Sequence, residues 1–84
     1  LSEGYNAKVY WKDGCSRCKQ TMNLFKIPFE SVKASQEFIE YLKEEKEVRS
    51  MPYVEIFDKD RRIVDSWSNF EYDKIREWNK KIDA

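Results

Sequence analysis

The chain has 84 residues, no histidine, two cysteines, and sixteen basic side chains that cancel sixteen acidic ones. This length sets a single domain, residues 1–84, and a domain so small buries only about 60% of the surface its unfolded chain exposes. The balanced charge leaves no footprint for nucleic acid, no apolar run approaches the roughly 20 residues of a membrane span, and two cysteines are too few for a secreted multi-bridge scaffold, which reads as a reducing, cytoplasmic setting.

The chain begins at Leu1 rather than Met, so Leu1 to Gly4 are expected to be a remnant or a product of processing and are left out of the fold. Ala7 to Trp11 (AKVYW) is a short apolar run with Val and aromatics and predicts the first strand. Gly14 breaks it. From Cys15 onward Cys18, Met22 and Phe25 repeat at the spacing of one helix face, and Pro28 stops that helix. Phe29 to Val32 (FESV) alternates like a short strand. Ser35 is placed to cap a second helix whose apolar face is Phe38, Ile39 and Leu42. Its charged tail, "KEEKEVR", reads as a solvated helix face.

Pro52 opens a strand over Tyr53 to Asp58, Lys59-Asp60 makes a hairpin turn, and Arg61 to Ser66 is the returning strand. Ser68-Asn69-Phe70-Glu71 has the form of a capping box, ahead of a last helix with Ile75, Trp78 and Ile82 on one face. The order is β-α-β-α-β-β-α. The helix between the first two strands predicts a parallel, right-handed crossover, and the last two strands an antiparallel hairpin. Three helices against a four-stranded mixed sheet predict an α/β three-layer sandwich.

Within this order "WKDGCSRC" (Trp11 to Cys18) carries the chemistry. Cys15 sits where a strand ends and a helix begins, and the free N–H groups there favour a negative charge. Thiolates so placed have a pKa of roughly 3.5 to 7.5. Lys12 and Arg17 add positive potential, and Asp13 opposes them in part. Cys18 follows one turn later on the inner face. The first thiol is therefore placed to attack a disulfide and the second to resolve the mixed disulfide. Two alternatives stay open: packed cysteines without chemistry, or half of an intersubunit metal site. One chain lacks the four ligands of structural zinc, so no metal is expected.

The pattern from Ala7 to about Ile82 resembles the glutaredoxin family within the thioredoxin fold. The resemblance rests on Lys12 three positions before Cys15, Cys15-Ser16-Arg17-Cys18, Ser50-Met51-Pro52 and "WSNFEYD" (Trp67 to Asp73). The last stretch is similar to a segment of the glutaredoxin-like redoxins that serve ribonucleotide reductase. Asn69, Glu71 and Tyr72 depart from that segment's glycine, arginine and proline, and the glutaredoxins' Gly-Gly before the final helix is absent.

The resemblance implies a thioredoxin-like fold and a monomeric dithiol-disulfide oxidoreductase, with Cys15 as nucleophile and Cys18 as resolving thiol. It implies a cis bond before Pro52, a carboxylate-binding Lys12, a Met51 backbone that meets a thiol peptide, and Ser16, Arg17, Ser68, Asn69 and Phe70 around the site. Lys12 is alternatively a solvated lysine, Ser68 only a cap, and Trp67 core. The partners implied are a protein disulfide, with ribonucleotide reductase expected, and thioredoxin reductase or glutathione as reductant. No cofactor is tightly bound, with glutathione a co-substrate. The competing readings are a glutathione-dependent glutaredoxin, and a non-catalytic binding module or cluster-bridging dimer.

Overall fold

The computed structural model describes residues 4–82. Leu1–Glu3, Asp83, Ala84 and the side chain of Ile82 lie outside the described residues. The elements, in chain order, are β1 (Asn6–Trp11), α1 (Ser16–Leu24), β2 (Phe29–Lys33), α2 (Gln36–Glu45), β3 (Tyr53–Phe57), β4 (Ile63–Ser68) and α3 (Tyr72–Asn79). A 3₁₀ turn at Lys80–Ile82 follows α3. Together they make the three-layer thioredoxin-like sandwich expected from the order of elements.

The sheet order is β2-β1-β3-β4. β1 runs parallel to β2 and antiparallel to β3, and β3 runs antiparallel to β4. Because successive strand residues face opposite sides, β1 and β3 serve two cores at once. Ala7, Val9, Val54 and Ile56 meet Phe25 from the end of α1, Trp67 from β4, and Ile75 and Trp78 from α3. On the other face Tyr53 and Tyr10 meet Phe38 and Leu42 of α2. Val9, Val54 and Ile56 are fully buried, and each such side chain contributes about 1.5–3 kcal/mol through burial.

Ser35 caps α2 as expected, its Oγ accepting the Phe38 N–H at 3.1 Å. Three other expectations are corrected. The charged tail is helical only to Glu45. Glu47 then takes a left-handed φ of 57°, and the Val48 N–H reaches back to the Leu42 carbonyl at 2.9 Å, which turns Val48 onto the core. The second hairpin strand starts at Ile63 rather than Arg61. The Asp58 carboxylate accepts the Asp60 and Arg62 N–H groups, each at 2.9 Å, and Arg61 takes φ 64°, so both arginines belong to the loop.

The capping box does not form. Ser68 is still strand, paired with Tyr53, and α3 starts at Tyr72 behind Glu71, which makes no side-chain cap bond. The reason is Asn69. Its φ of 71° and its N–H bond to the Pro52 carbonyl at 2.8 Å commit this backbone to a tight turn instead of a helix start.

Candidate active site at the start of the first helix

β1 delivers the chain to the end of the sheet, and Gly14, at φ 70°, turns it into α1. A positive φ costs glycine nothing and would strain a residue with a Cβ. Cys15 is the N-cap of α1, and its Sγ accepts the Cys18 N–H at 3.2 Å. No acidic residue stands in the first turn of α1 to oppose a negative sulfur. Cys15 and Cys18 form a disulfide, with Cα atoms 5.3 Å apart. Cys15 is half-buried, whereas Cys18 is 1% exposed. Of the two sulfurs, only that of Cys15 is open to a partner. In the reduced protein the same Cys18 N–H and helix end would favour the Cys15 thiolate.

A second wall comes from the start of β3. The Met51–Pro52 bond is cis, both residues are buried, and Cys15 Sγ lies 3.8 Å from the Met51 carbonyl oxygen. A third wall comes from the turn after β4. The Asn69 N–H donates to the Pro52 carbonyl at 2.8 Å, and Asn69 Oδ1 accepts both the Phe70 N–H and Arg17 Nη1, each at 2.8 Å. Phe70 is half-buried and packs on the core below. These contacts join Arg17, Met51, Pro52, Asn69 and Phe70 on one side of the disulfide, while Ser68 stays in the sheet opposite Tyr53.

Lys12 lies on a different flank. It lines a groove of about 330 Å³ with Trp11, Cys15, Cys18, Lys19 and Met22, and this groove includes neither Met51 nor the turn at Asn69. Asp13, expected to oppose the cations, instead holds Lys33 at 2.8 Å, and Lys33 also sits over the Trp11 ring. Ser16 is exposed at the first position of α1. Trp67 is core, 9% exposed and packed on Phe25. Among the described residues no three His, Cys, Asp or Glu side chains converge as metal ligands would.

Beneath the site, burial, with the charge of Glu55 second, pushes the Tyr10 hydroxyl up to about 12. Tyr53 is raised by the same causes. Sequence reasoning placed Arg17 and Asn69 at the site but not the bond between them. Its one sequence signal is Asn at a position that must turn, since Asn is among the residues that tolerate a left-handed φ.

No protein-family profile matches the chain, and no curated protein does. Solved structures do. Spinach chloroplast thioredoxin f in its short form aligns over 98% of this chain and 79% of its own, at TM-score 0.66 and 18% identity. Malassezia sympodialis thioredoxin aligns over 98% and 77%, at 0.62 and 17%. A thioredoxin f2 crystallised in complex with ferredoxin:thioredoxin reductase aligns over 98% and 80%, at 0.65 and 14%.

These likenesses establish the thioredoxin fold, and they overturn the glutaredoxin resemblance, because the matches are thioredoxins. The cytoplasmic expectation is overturned as well, since the spinach protein is a chloroplast one. A count of two cysteines excludes a multi-bridge scaffold, but it does not separate the compartments that run dithiol chemistry.

Proposed function

We propose that this thioredoxin-fold chain is a dithiol-disulfide oxidoreductase that reduces protein disulfides. The observation that carries the reading is the Cys15–Cys18 disulfide at a helix N-terminus, its outer sulfur half-buried beside the Met51 carbonyl and its inner sulfur sealed from solvent. In the reduced state the Cys15 thiolate attacks one sulfur of a client disulfide. A bond forms between Cys15 and that sulfur, and the other client sulfur leaves as a thiolate and takes up a proton. Cys18 then gives up its proton and attacks Cys15 Sγ. The Cys15–Cys18 bond closes and the second client thiol departs protonated. Two electrons and two protons pass to the client.

A client segment would lie extended against Met51, in the manner of an added strand. The oxidised chain then takes two electrons from a reductase, the class of protein that holds one of the matched folds in a complex. Ribonucleotide reductase is one disulfide this chemistry would serve. With the redoxin resemblance gone, it does not outrank other protein disulfides.

The test is turnover of insulin disulfides, with NADPH and thioredoxin reductase in one arm and glutathione with its reductase in the other. The parent should turn over with the flavoprotein, Cys15→Ser should be inert, and Cys18→Ser should accumulate a mixed disulfide visible by mass. Activity of Cys15→Ser equal to the parent would refute the order of attack. Turnover driven by glutathione alone would refute the reductase.

A further inference from the structure

The chain as a whole is neutral, but the rim of its disulfide is not. Lys12 and Lys19 line the groove beside Cys15 and Cys18, and neither enters an ion pair among the described residues. The nearest acid in sequence, Asp13, is already held by Lys33. Arg17 lies across the other flank, where its one described partner is the amide oxygen of Asn69. An amide oxygen orients a guanidinium without cancelling its charge, and it occupies one of five N–H donors. Asn69 is itself fixed by its bond to the Pro52 carbonyl. The cation is therefore held in place, through Asn69, on the flank where the Met51–Pro52 segment starts β3, with donors to spare. Glu71, exposed two residues beyond Asn69, is the one acidic side chain of that turn.

We infer that the preferred client is a disulfide flanked by acidic residues, and that Arg17, oriented by Asn69, is its specificity-determining contact. This rests on the oxidoreductase reading. A client laid extended along Met51 advances about 3.3 Å per residue, so a carboxylate within two residues of its cysteine reaches the rim. There a guanidinium binds a carboxylate through two parallel bonds, which Lys would not reproduce. Asn69 hands Arg17 to the client because a neutral acceptor yields to a charged one.

The experiment uses three peptide disulfides that differ only in the residues flanking the cysteine: Asp, Asn or Lys. The second-order rate at which each oxidises the reduced protein is followed by tryptophan fluorescence. Each rate is divided by the rate of uncharged dithiothreitol on the same peptide, which removes the peptide's own reactivity. At about 0.01 M salt the normalised Asp-to-Lys ratio should be on the order of 10 or more. At about 1 M salt, where screening acts over ~3 Å, it should shrink toward unity. Arg17→Gln should cut the low-salt ratio several-fold. Asn69→Asp should do the same, because its carboxylate takes the guanidinium that the client needs, and Asp tolerates the left-handed backbone.

A ratio near 1 in the parent overturns the inference. So does a ratio unchanged in both variants, which is what a merely structural Arg17–Asn69 brace would give. Failure of every peptide to oxidise the folded, reduced protein would instead overturn the oxidoreductase reading, and the inference with it.

Discussion

Asp65 moors α3 to the sheet, and its removal should be costly. It stands on β4 opposite Ile56. Its carboxylate accepts the Trp78 indole N–H at 2.9 Å and the Lys74 ammonium at 3.0 Å. Trp78 is only 8% exposed, so Asp65→Ala strands its N–H where water reaches poorly. A hydrogen bond to a charged acceptor is worth ~1.5–3 kcal/mol. The Lys74 pair, at 41% and 22% side-chain exposure, adds at most ~1 kcal/mol. We expect Asp65→Ala to cost about 2 kcal/mol in urea unfolding followed by tryptophan fluorescence. At about 4–8 °C per kcal/mol for a domain of this size, Tm should fall by roughly 8–16 °C.

Asp65→Asn keeps an acceptor for Trp78 and should cost about half as much. The pH dependence separates the two effects. Burial pushes the Asp65 carboxyl up, but bonds from Trp78, Lys74 and the Ser66 N–H outweigh it and hold the group below its ordinary 3.8. A lowered carboxyl stabilises the fold fully above 3.8 and loses that contribution as pH falls through the folded value. The acid limb of stability should therefore be shallower in Asp65→Asn. A cost below about 0.5 kcal/mol for the alanine variant, less than one ordinary hydrogen bond, would refute the mooring.

Two further outcomes follow from bonds and burial elsewhere. Asn79 clasps the end of α1, accepting the Lys26 N–H and donating to the Leu24 carbonyl, each at 2.7 Å; Asn79→Ala should lower stability by about 1–2 kcal/mol, and an unchanged urea midpoint would show the clasp to be idle. Tyr10 is raised from 10.0 to about 12, so its contribution is intact below 10 and lost as pH rises through 12. Tyr10→Phe should flatten that alkaline limb in circular dichroism titrations, and a limb as steep as the parent's would assign the loss to other groups.

The site's chemistry was legible where neighbours in sequence decide it. A β-rich run, a glycine and a helical repeat suffice to put Cys15 at a helix start and Cys18 one turn inward. Ser35 was legible for the same reason, since a cap acts within three residues. What failed to show was decided across the fold. Ser68 matches a capping box, yet its pairing with Tyr53 keeps it in the sheet. Arg61 and Arg62 continue an apparent strand, yet Asp58 binds the loop that contains them. Arg17 and Asn69 are 52 positions apart, so no local pattern announces their bond. Asn69 takes a left-handed φ and supplies the oxygen that Arg17 uses, and both depend on the fold around the turn.

The order β2-β1-β3-β4 leaves β4 as a sheet edge, and near its start Ile63 and Val64 are 53% and 45% exposed. A strand edge with open hydrogen-bonding groups and apolar side chains is a template for the same strand in another molecule. Ahead of it stands a charged loop, with Lys59 and Arg61 and with Arg62 paired to Asp58 and Asp60, and the bulge around Val64 breaks the regular register of the edge. Charge and irregularity together guard the edge against self-association. A protein with no net charge has little long-range repulsion to keep its copies apart, so local devices at an edge such as this one matter more to it than to a highly charged chain.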